Sequence, residues 1–74
     1  MGIMTPQTGD IWRYRHPQRD WDDSVVLLHE LLRDGPGHFT RQHETIFWGY
    51  DLLSDSYDEF LFTEGNMEHW EKLG

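Results

Sequence analysis

Two short alternating runs stand near the ends of this chain. Ile11-Trp12-Arg13-Tyr14-Arg15, entered from the turn residues Gly9-Asp10, puts Trp12 and Tyr14 on one face and Ile11, Arg13 and Arg15 on the other, the period-two pattern of a strand. The far end repeats the pattern: Met67, His69, Glu71 and Leu73 alternate with Glu68, Trp70 and Lys72. If the two ends pair, they close a small barrel around their aromatic rings. Between them the apolar residues come in short blocks broken by turn formers. Pro17 and the Asp-rich stretch to Asp23 read as an exposed loop. His38 to Leu53 is β-rich, with Gly49 after Trp48 marking a bulge or a close backbone approach. Ser54-Asp55-Ser56 is a turn, Phe60 and Phe62 share a face of the next run, and Glu64-Gly65-Asn66 turns into the last.

Ser24 to Asp34 fits two templates. As a helix it has Asp23 or Ser24 as N-cap and Gly35 as its stop; as a strand it starts on Val25-Val26 and ends at the breaker Gly35-Pro36-Gly37. Val25 to Leu28 and Leu31-Leu32 are apolar on both faces under either template, so periodicity does not choose. The strands on both sides favour a strand. The pattern therefore predicts an all-β domain, a small five-stranded barrel with strands near 9–15, 24–33, 37–50, 57–63 and 67–73; the alternative is α+β with a helix at 24–34. The expected core is Ile11, Trp12, Val26, Leu28, Phe47, Phe60, Phe62 and Trp70. Residues 1–74 form a single domain, with 1–8 a loosely ordered lead-in, and there is no internal repeat, low-complexity tract or linker.

Gly9-Asp10-Ile11-Trp12 opening the first strand, a leucine-rich second strand, and Trp70-Glu71-Lys72-Leu73 at the end resemble small SH3-like barrel proteins of tailed phages and their actinobacterial hosts. The resemblance implies an SH3-like barrel and a phage accessory origin. Such proteins are mostly of unassigned function, so it carries over no catalytic residues.

Composition narrows the chemistry. Aromatic residues make up 15% of the 74 positions and there is no cysteine, so rings rather than disulfides must stabilise the core, and thiolate metal sites are excluded. No apolar run nears the ~20 residues that span a bilayer, and no signal-peptide pattern opens the chain, which makes a soluble, cytoplasmic protein the expectation. Net charge is −8, and it is uneven: residues 1–50 hold seven acids and five arginines, residues 51–74 seven acids and only Lys72. That balance disfavours direct nucleic-acid binding and membrane surfaces and suits a basic protein partner.

Several clusters of titratable residues lack the spacing their chemistry would need. His38 with His43 or Glu44 lacks metal-ligand spacing, and no H-E-x-x-H word occurs. Asp22-Asp23 and Asp58-Glu59 are chain neighbours that do not face each other across a cleft, and Ser24 with His29 has no strained elbow. Arg13, Arg15, His16 and Arg19, interleaved with Trp12 and Tyr14, form a basic cluster whose expected use is pairing with the chain's own acids or stacking on the tryptophans, rather than a single-strand nucleic-acid platform. The expectation is a non-enzymatic acidic interaction protein with no catalytic, cofactor or metal site. It engages a basic surface on a protein partner or acts as a decoy for nucleic acid, through Trp21, Asp51, Asp55, Tyr57, Asp58, Glu59, Glu64 and Glu68. The alternative is a structural protein, a homo-oligomer that self-associates through barrel edges.

Overall fold

The computed structural model describes residues 5–19, 23–37 and 42–74. Five strands, β1 (Ile11–Tyr14), β2 (Ser24–Pro36), β3 (His43–Asp51), β4 (Ser56–Thr63) and β5 (Trp70–Lys72), form one antiparallel sheet in the order β4-β3-β2-β1-β5. The last strand returns to the first, with Trp12 opposite Lys72 and Tyr14 opposite Trp70. The two edge strands then meet through side chains: Phe62 of β4 stacks on Trp70 of β5 with centroids 4.2 Å apart, and the Trp70 indole donates to the Leu61 carbonyl at 3.3 Å. The sheet is thereby curled into a small barrel-like fold, and the all-β expectation holds.

The opening Gly9-Asp10 turn is built for its place. Gly9 has φ +94°, a conformation that favours glycine. Asp10 follows it and accepts from both the Gln7 backbone N–H at 3.0 Å and the Trp12 indole at 3.1 Å. A buried ring thus reaches the core with its one polar atom satisfied. Pro6 is also buried, while Thr5, Gln7 and Thr8 are exposed. Residues 1–4 lie outside the described part.

Ser24 to Asp34 is strand throughout, which removes the helix alternative, and β2 runs on to Pro36. Its eleven residues Val26–Pro36 lie against the nine of His43–Asp51, the difference being taken up by bulges at His29 and Leu32. Leu28 lies opposite Gly49, Glu30 opposite Trp48, and Leu31 opposite Phe47. Each bulge shifts the alternation by one residue. The close approach expected at Gly49 is present: a Cβ there would stand 2.7 Å from Val26 Cγ1 and 2.9 Å from the Leu27 carbonyl oxygen.

Trp12, Val26, Leu28, Phe47, Phe62 and Trp70 form the buried core, with Tyr14, Phe60 and Met67 packed around it. Two expected core residues sit elsewhere. Ile11 is half-buried, because a residue next to inward Trp12 must point to the other face, and Phe60 is only half-buried toward the edge of the cluster. The other strand boundaries also moved. Met67–His69 is a single 3₁₀ turn, so β5 begins at Trp70, and the third strand begins at His43, residues 38–41 lying outside the described part.

Candidate functional site

The acidic residues of the last third do not share one face. Asp51, expected outside, is only 8% exposed; its Oδ1 accepts from the Leu53 backbone N–H at 3.0 Å and secures the turn into β4. Asp55 is exposed in that turn with φ +55°. Along β4 the side chains alternate, so Tyr57 and Glu59 face outward while Asp58, opposite Gly49, belongs to the other side. Asp58 Oδ1 also accepts from the Glu59 backbone N–H at 2.8 Å. Glu64 lies beyond the far end of β4, roughly 30 Å of extended chain from Asp55, and Glu68 is in the 3₁₀ turn beside His69. Trp21 lies outside the described residues.

What the fold does bring together is aromatic. On the outer face of β3 and β4, Trp48 and Tyr57 lie nearly parallel, 10° between planes and 6.0 Å between centroids. Tyr50 meets Tyr57 edge-on at 5.0 Å, and His29, set out by its bulge, tilts onto the same ring at 5.4 Å. Trp48 is 39% and Tyr57 53% exposed, and Leu61 on the same face is also exposed. Cross-strand register places Glu30 and Glu59 on either side of Trp48. Among the described residues no cation pairs with Glu30, Asp55, Asp58, Glu59 or Glu64.

Two arginines at β1 pair with acids of the chain, and His16 lies edge-on to Tyr14 at 6.5 Å. Arg13 pairs with Asp23 at 3.1 Å and Arg15 with Glu71 at 3.7 Å. Trp12, at 1% exposure, is closed to any stacking base. In the Arg13 pair the Arg13 Nε and Asp23 Oδ1 are buried without a hydrogen-bond partner, so the contact is single and not a fork.

A cleft of about 290 Å³ opens beside the lead-in, lined by Pro6, Asp34, His43, Thr45, Phe62 and Met67 among others. Here His43 Nε2 and Thr45 Oγ1 both bond to Asp34 Oδ1, the threonine at 3.2 Å. The His43 hydrogen bond is the chief cause holding the Asp34 carboxyl below its ordinary value. Thr45 donates to the carboxylate and not to the imidazole, so the trio lacks the nucleophile-to-base hydrogen bond of an acyl-transfer site. Among the described residues no group of three or more His, Asp and Glu is placed to hold a metal ion, and His38 lies outside them. Ser24 and His29 are separated along β2, with His29 turned to the outer aromatic face.

The exposed edge of β4 is partly closed by side chains. Asn66 accepts from the Thr63 backbone N–H at 2.8 Å and donates to the Leu61 carbonyl at 2.9 Å, standing in for a neighbouring strand. With Trp70 on the same carbonyl and Asp58 on the Glu59 N–H, part of this edge is satisfied by the chain's own side chains.

Sequence reasoning named Tyr57 and Glu59 but missed Trp48, Tyr50, His29 and Glu30. Trp48 and Tyr50 were within reach, because an inward Phe47 forces its alternate neighbours outward; nothing in the sequence marked the bulge that moves Glu30. No protein-family model, curated protein or solved structure matches the chain significantly. Among the described residues no helix is long and apolar enough to cross a membrane.

Proposed function

We propose that the protein is a small non-enzymatic interaction protein that binds a basic surface on a protein partner. The observation that supports it is Tyr57, half-exposed within a ring cluster, with Asp55 in the adjoining turn and Glu59 on the same outer face, whose carboxylates have no cationic partner among the described residues. Exposed ion pairs contribute only about 0–1 kcal/mol each, so an aromatic anchor supplies the affinity and the acids supply attraction and choice of partner. The net charge of −8 adds long-range steering toward basic surfaces. Occupying such a surface also excludes nucleic acid from it, which is the decoy activity of a phage accessory protein.

The test is binding to immobilised Lys/Arg-rich peptides at two salt concentrations, for the intact protein and for a variant carrying Asp55→Asn, Asp58→Asn, Glu59→Gln and Glu64→Gln. Binding weakens with salt and in the variant if the acids recognise the partner. Equal binding by both proteins at both salt concentrations removes the reading. Sizing chromatography in the same buffers reports on the competing edge-to-edge assembly.

A further inference from the structure

The outer face of β2, β3 and β4 is ordered in rows. One row reads Glu30, Trp48, Glu59 and the next Leu27, Tyr50, Tyr57. With neighbouring strands ~4.8 Å apart, the two glutamates start about 10 Å from each other with the Trp48 ring between them. The ring is 39% exposed and lies parallel to Tyr57, while Tyr50 and His29 pack edgewise and tilted against Tyr57 and hold it in place. We propose that this face binds an arginine side chain presented by a partner protein, the guanidinium lying on the Trp48 and Tyr57 rings and donating to Glu30 and Glu59 on either side. The inference rests on the reading of a basic partner and names the group on that partner that is recognised.

Each alternative occupant fits less well. An anion meets two carboxylates on a chain of net charge −8. A second copy of this face would set glutamates against glutamates, which like-charge repulsion opposes. A purely apolar segment would bury Glu30 and Glu59 without counter-charges. Lysine satisfies the charge but offers a compact ammonium, whereas the flat guanidinium covers a ring and points N–H groups outward in its own plane toward both flanks. Arg33, in the next outer row opposite Ile46, donates to the Pro36 carbonyl at 2.6 Å.

The experiment is an NMR titration of the intact ¹⁵N-labelled protein with three blocked peptides, Gly-Arg-Gly, Gly-Lys-Gly and Gly-citrulline-Gly. The arginine peptide is expected to shift the Trp48 indole N–H and the backbone signals of Tyr50, Tyr57 and Glu59. Losing a cation–π contact at an exposed site weakens binding about two- to fivefold, so citrulline, uncharged but of the same shape, binds at least that much more weakly. Glu30→Gln with Glu59→Gln reduces arginine binding by about three- to tenfold while leaving the spectrum folded. Trp48→Phe, which keeps a ring and guards against loss of fold, weakens it less than Trp48→Ala. Equal shifts with citrulline, or arginine shifts that map away from this face, overturn the assignment. If the protein still binds Lys/Arg-rich peptides in a salt-dependent way while its arginine shifts lie elsewhere, this site is wrong and the basic-partner reading stands; if no basic probe binds, both are wrong.

Discussion

The two faces of one sheet carry the same kind of residue to opposite ends. Inside, Trp12, Phe62 and Trp70 are buried, with Trp12 edge-on to Phe62 at 5.5 Å, and both indole N–H groups are matched, to Asp10 and to the Leu61 carbonyl. Outside, Trp48, Tyr50 and Tyr57 pack on one another just as closely yet stay partly in water, and the acids around them have no cationic partner among the described residues. Ring contact alone therefore does not separate a buried, stabilising cluster from an exposed one. What separates them is how much water each ring has lost and whether its polar neighbours are already satisfied.

The sharpest way to break this contrast is to delete a ring from each face. Trp12→Ala should cost about 3–5 kcal/mol, from the cavity and the stranded Asp10 acceptor, enough to leave a chain of this size largely unfolded. Urea denaturation followed by circular dichroism checks it, and a loss under ~1 kcal/mol would mean that the core is not where the packing puts it. Next in size is Gly49→Ala, expected to destabilise by about 1–3 kcal/mol, since the new methyl meets Val26 and the Leu27 carbonyl below contact distance. A neutral result would show that β2 and β3 can part at the bulge.

Trp48→Ala should lower stability by no more than about 1 kcal/mol, the worth of a partly exposed ring pair, while removing binding to the arginine peptide. A loss of stability comparable to that of Trp12→Ala would erase the distinction between the faces. The smallest effect is expected at Asp34. Its carboxyl is held low by His43, so its contribution is present above the ordinary carboxylate range and is lost as pH falls through the lowered value. The urea midpoint of Asp34→Asn should accordingly fall less steeply than that of the unaltered protein between about pH 5 and pH 2. Parallel curves would show that the exposed contact contributes nothing.

Alternation carried much of this architecture. The inward choice of Trp12, Val26, Leu28, Phe47, Phe62 and Trp70 follows from period two together with the size of the rings, and the pairing of the two chain ends follows from their matching runs. Tyr57 stood out because it lies beside the acidic turn at Asp55. Net charge, by contrast, said how much acid there was and nothing of where it pointed. Asp51 became a turn acceptor inside the fold, Asp58 bonded to the adjacent backbone, and Glu64 and Glu68 went to the opposite end of β4 from Asp55.

The sequence by itself pointed to strands on both sides of Ser24–Asp34, to most of the rings the chain buries and to matching ends, because those properties depend on residues two apart and on apolar size; the structure removed the helix alternative at 24–34. Only the tertiary structure decided the two bulges of β2. Unbroken alternation from Val26 and Leu28 would carry Glu30 to the inner face. The extra residue at His29 instead turns Glu30 outward beside Trp48 and lays the histidine against Tyr57. That outcome depends on eleven residues having to match nine on a strand that follows them in sequence, a long-range fit that no local pattern in β2 records.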